Sequence, residues 1–76
     1  MNQKLSDILE ILNEIRPEAD FNSSLDYINE GILDSLDIVI LVDSIEKHFN
    51  VSIPGELIIP ENFVNLVTIS SLIEDN

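Results

Sequence analysis

The 76-residue sequence contains no cysteine, so neither disulfides nor thiolate metal sites contribute to its stability. Two glycines and three prolines are too few for a long flexible linker. Lys4, Arg16 and Lys47 stand against 15 acids, for a formal charge of −12. A surface of that sign repels phosphate backbones, which argues against nucleic acid as a partner, and it attracts basic protein surfaces. No apolar run approaches the ~20 residues of a membrane span, and no signal-peptide pattern opens the chain. The expectation is one monomeric, cytoplasmic domain over residues 1–76. Acidity alone would also fit disorder, but 45% hydrophobic residues supply enough apolar surface for a small core.

Leu5, Ile8, Leu9, Leu12 and Ile15 recur at helical spacing and predict an amphipathic helix over 3–15. Pro17 ends it. The next 18 residues, 17–34, show no sustained period, an unusually long connection for so small a domain. Phe21, Leu25, Ile28 and Leu33 are expected to pin it to the core through a short helical turn. Gly31 can supply the positive φ of a sharp turn.

Residues 35–49 read as the main helix. Asp34 fits its N-cap and Asp37 its third position, a capping box with Asp in place of Glu. Asn50 can close it in a left-handed conformation. Val51-Ser52-Ile53 is extended but has too few partners for a sheet. Pro54 and Pro60 break the following stretch into turns anchored by Leu57, Ile58, Phe63, Leu66 and Val67. Thr68 is expected to cap a last helix through Glu74 that buries Ile69, Leu72 and Ile73. The fold class is all-α: a small four-helix bundle, three main helices plus one short, with a long loop between the first and second.

At roughly 100° per residue, Ile38, Leu41, Val42, Ile45 and Phe49 share one arc of the main helix and form its core stripe. Asp43 and Lys47 point the other way. Leu36 and Ile40 point with them, and Val39 lies at the boundary. Two readings follow. Either the long loop folds over Leu36 and Ile40, or they form an exposed apolar patch rimmed by Asp37, Asp43 and Glu46 and suited to docking partners.

Ser35 stands beside that patch, between Asp34 and Leu36. As a catalytic nucleophile it would need a base within hydrogen-bond reach. The single histidine, His48, lies 13 residues along the same helix, about 20 Å away at ~1.5 Å per residue. A Ser-His-Asp mechanism within this helix is thereby excluded, and His48 reads as an ordinary solvent-facing residue. No stretch has EF-hand spacing or a glycine-rich phosphate loop. Asp34 and Asp37 would share a divalent ion only weakly, so neither a metal site nor an enzyme is predicted.

The stretch Asp34-Ser35-Leu36, preceded by Gly31 and opening an acidic helix, resembles the acyl carrier proteins. The resemblance covers nearly the whole chain, including the first amphipathic helix, the long loop, Glu46 and Phe49 near the end of the main helix, Ile53-Pro54 and a short last helix. It implies that a phosphopantetheinyl transferase esterifies Ser35 with 4′-phosphopantetheine from coenzyme A. The terminal thiol then carries acyl groups as thioesters, and Asp34 helps the transferase hold Mg²⁺ and the phosphate donor. Leu36, Asp37, Val39, Ile40, Asp43 and Glu46 become the candidate docking residues for the transferase and for loading and processing enzymes with basic surfaces.

Two positions depart from the usual fatty-acid carrier. Ile40 stands where an acid is usual, and Asp43 where an apolar residue is common. Gly31-Ile32-Leu33-Asp34-Ser35-Leu36 and Pro60-Glu61-Asn62-Phe63 also resemble D-alanyl and aminoacyl carriers. Three readings stay open: a fatty-acid or polyketide carrier, a D-alanyl, aminoacyl or peptidyl carrier, and an unmodified acidic helical interaction module. The cargo is not encoded in these residues.

Overall fold

A computed structural model describes residues 2–74. Helix α1 (Gln3–Ile15) begins where the Asn2 side chain accepts the Leu5 N–H, and ends with the Arg16 N–H on Leu12 O. Helix α2 (Ser35–Phe49) opens on the expected capping box and closes on Asn50, at φ 56°. Helix α3 spans Leu66–Glu74. All secondary structure among the described residues is helical, as expected for the all-α class. The short fourth helix is present as two 3₁₀ turns, Gly55–Leu57 and Pro60–Phe63, because Pro54 and Pro60 interrupt regular α-helical bonding there.

α1 packs against both α2 and α3, and the second 3₁₀ turn sits against α2 and α3. The core between them holds Ile8, Leu12, Leu41, Ile45, Phe63 and Ile69, all fully buried. Ile38, Leu41, Val42 and Ile45 are buried together as the predicted stripe, with Phe49 partly buried against the cluster.

The long loop folds as a series of turns, with no helix. Tyr27, not singled out from the sequence, is its main anchor. Its ring is 1% exposed, and its hydroxyl donates to Phe21 O at 2.9 Å. Its backbone N–H reaches Val64 O, and its carbonyl accepts from Ile32 and Leu33. Gly31 takes the expected positive φ, 76°. Carboxylates secure the bends: Asp20 accepts from the Asn22 and Ser23 N–H groups, and Asp26 from Ile28 and Asn29.

Three expectations need correcting. Leu25 is not an anchor but is 85% exposed, since its N–H and the Ser24 hydroxyl bind the Glu30 carboxylate and the turn aims the side chain outward. Val67 is also exposed, because it lies about 200° around α3 from the buried Ile69. The cap of α3 is Asn65 rather than Thr68. Asn65 Oδ1 accepts the Thr68 N–H at 2.9 Å, and Thr68 Oγ1 accepts the Asn65 N–H at 3.3 Å, so Thr68 is the returning partner of a capping box.

Candidate functional site

The start of α2 is built by reciprocal bonds. Asp34 Oδ1 accepts the Asp37 N–H at 2.9 Å, and Asp37 Oδ2 accepts the Asp34 N–H at 3.2 Å. Ser35 is the first helical residue after this cap and is exposed. Among the described residues its hydroxyl has no hydrogen-bond partner. An anion attached there would meet the positive dipole end of the helix.

The first turn carries more positive charge than the sequence reading anticipated. Arg16, just beyond α1, sets Nε and Nη2 each 2.9 Å from Asp37 Oδ2. Nη2 also lies 3.5 Å from Asp34 Oδ2, and Nη1 3.4 Å from Glu18. Donating hydrogen bonds to the Asp37 carboxylate raises the Arg16 pKa above its ordinary value. The Asp34 carboxyl is held below the usual carboxylate range, chiefly by the Asp37 N–H and further by the charge of Arg16. Arg16 therefore stands where the sequence left room for a weakly shared divalent ion. No group of three or more metal-ligating side chains occurs among the described residues.

The patch question resolves toward exposure. Leu36 is 67% exposed, Val39 63% and Ile40 43%, so the long loop does not cover them. Asp43 is exposed and pairs with Lys47 at 3.0 Å across one helical turn. Asp37 does not rim the patch: it is buried, turned inward to Arg16 and to its own helix cap. Glu46 is half-buried and accepts the Ile53 N–H at 2.8 Å, tying the extended segment to α2.

His48 is solvent-facing at the far end of α2 as expected, and its Nε2 lies 3.2 Å from Asp7 Oδ2 on α1. The residue missed at the site is Arg16. Its signal was its rarity, one of three bases among 15 acids, placed at the end of the helix that precedes the long loop.

A covalent arm requires an accessible hydroxyl without an internal partner, and the residues at the start of α2 fit that requirement. A family model described as a phosphopantetheine attachment site matches residues 3–74. An acyl carrier protein of Helicobacter pylori is 38% identical over 63 residues, which is 83% of this chain and 70% of that protein. No solved structure gave a significant match. No helix among the described residues is long and apolar enough to cross a membrane. A match across both outer helices, together with a relative aligned over most of both chains, decides the family: this chain belongs to the acyl carrier proteins, carriers of phosphopantetheine rather than enzymes.

Proposed function

We propose that Ser35 is the residue that bears the 4′-phosphopantetheine arm, and that the chain works in the cytoplasm as a monomer. The observation that carries this reading is an exposed, unpartnered hydroxyl at the first position of α2, inside the matched region. When bound, the arm supplies a thiol that holds acyl groups as thioesters. The chain's own residues present and orient it. Asp34, with one carboxylate oxygen committed to the cap and the other 3.5 Å from Arg16 on an exposed side chain, supports the Mg²⁺ and phosphate donor of the transferase. Leu36, Val39 and Ile40 form the apolar centre of the docking face, with Asp43 at its acidic rim for enzymes with basic surfaces. Asp37 and Glu46 contribute from behind, by holding the ends of the helix in place.

Fatty-acid or polyketide synthesis is the first pathway class for this carrier. A D-alanyl, aminoacyl or peptidyl carrier is the second, favoured by one specific observation: Ile40 places an exposed apolar side chain where fatty-acid carriers usually present an acid.

The test is incubation of the protein with coenzyme A, Mg²⁺ and a broad-specificity phosphopantetheinyl transferase, read by intact mass and fragment spectra. One arm should be added, at Ser35, and folded Ser35→Ala should accept none. An added mass on Ser23, Ser44 or Ser52 would overturn the assignment. Absence of any arm on protein from its native cells would favour an unmodified interaction module. Where an arm is present, the intact mass with its thioester identifies the cargo class.

A further inference from the structure

We infer that Arg16 is a positioning residue for the transfer of the arm onto Ser35, an inference that rests on the Ser35 assignment above. Arg16 lies 19 positions before Ser35 and on the other side of the long loop, yet its guanidinium closes on both carboxylates of the α2 capping box. Asp37 is the only charged residue buried in the core among the described residues. A buried carboxylate needs a cation and satisfied lone pairs. Arg16 supplies two N–H groups to one of its oxygens, and the Asp34 N–H supplies a third donor.

This arrangement fixes the direction of Asp34. Its Oδ1 is held at 2.9 Å by the Asp37 N–H, while its Oδ2 lies 3.5 Å from Arg16 Nη2 on a side chain that is 63% exposed. The short bond is on Oδ1 and the long contact on Oδ2. Oδ2 is thereby positioned by the clamp, yet it sits on an exposed side chain with a long Arg16 contact that a metal and a phosphate brought by the transferase can replace. Arg16 also offsets one of the two carboxylate charges that an anionic donor meets on approaching Ser35. In the transfer, the Ser35 oxygen bonds to phosphorus and loses its proton to a base of the transferase, and the nucleotide part of coenzyme A leaves. Arg16 touches none of those atoms. It acts through Asp37 and Asp34.

A planar fork is required for this, because Nε and Nη2 share one acceptor while Nη1 reaches Glu18. Lysine would keep the charge and lose the fork.

The experiment measures steady-state modification of the full chain by the transferase, with coenzyme A and Mg²⁺, under conditions where circular dichroism shows each variant folded. Arg16→Gln should lower kcat about ten-fold, since small misplacements near a reacting group have effects of that order or larger. Its KM for the carrier should stay within about two-fold, because Leu36, Val39 and Ile40 are untouched. Arg16→Lys, which retains the charge, should recover only part of the lost kcat. A clamp that matters for stability alone would give folded variants with wild-type kcat, and that result overturns the inference. If Arg16→Gln does not fold, wild-type kcat in Arg16→Lys overturns it equally. Failure of the Ser35 reading is separately visible, because wild-type protein would then take the arm at another residue or not at all.

Discussion

Tyr27 and Phe21 meet edge to face inside the long loop, their ring centroids 5.0 Å apart at 86°, while the Tyr27 hydroxyl donates to the Phe21 carbonyl. The pair makes an 18-residue connection without a helix behave as part of the core. Burial also pushes the Tyr27 phenol pKa up. Tyr27→Phe keeps the ring but leaves a buried carbonyl without its donor, which should cost about 1–2 kcal/mol in urea denaturation. Leu25→Ala, on the exposed side of the same loop, should change stability by about 0.5 kcal/mol or less. Equal losses would mean that the ring contact and hydroxyl bond contribute little to loop closure.

Ile40 and Ile45 lie on the same helix with opposite environments, one 43% exposed and the other fully buried. Ile45→Ala should cost about 2–5 kcal/mol through lost transfer energy and the cavity left behind. Ile40→Ala should cost only about 0.5–1 kcal/mol. It should still slow loading of the arm, since an apolar anchor beside Ser35 is removed. Melting curves together with transferase assays separate the two effects. A normal loading rate in Ile40→Ala would leave recognition to Leu36, Val39 and the acidic rim.

Acid should expose the Asp34 cap. The Asp37 N–H and then Arg16 hold its carboxyl below the usual range, so its folded pKa lies below the unfolded value of ~3.9. Such a group contributes stability that is present above the unfolded value and is lost as pH falls through the folded one. Asp7 follows the same sign, lowered by the Gln3 amide and then by His48. Asp34→Asn should melt below wild type at about pH 6. The gap should begin to close only below the unfolded value of ~3.9 and vanish as pH falls through the lower folded one, towards about pH 2. A gap that stays constant across that range would mean that the cap does not depend on the charge of Asp34.

Salt should raise the melting temperature. At a formal charge of −12 the acids repel one another, and ions screen exposed charges over a Debye length of ~10 Å at 0.1 M. Because Arg16 already bridges Asp34 and Asp37, Mg²⁺ at matched ionic strength should add little in wild type and more in Arg16→Gln. Parallel NaCl and MgCl₂ titrations of both proteins check this. A melting temperature flat in NaCl would remove self-repulsion as a limit on stability.

The bounds of α1 and α2 were legible from residues three or four apart. Apolar spacing marks the buried stripe, and Asp34 with Asp37 and Asn50 mark the ends, because caps are made within a single turn. The positive φ of Gly31 was legible for the same local reason. A helical period, however, gives only angles around an axis. Whether Leu36 and Ile40 would be covered depended on where a loop distant in sequence came to lie, and that loop was drawn elsewhere by Tyr27. Tyr27 was not predictable as an anchor because its partners, Val64 O and the core, arrive from the far end of the chain. Asp37 offered an N-cap partner in the sequence and became a buried ion only because α1 ends beside α2, bringing Arg16 within hydrogen-bond distance across 21 positions. Local bonding is written in neighbouring residues, whereas burial and long-range charge pairing exist only once distant segments share one core.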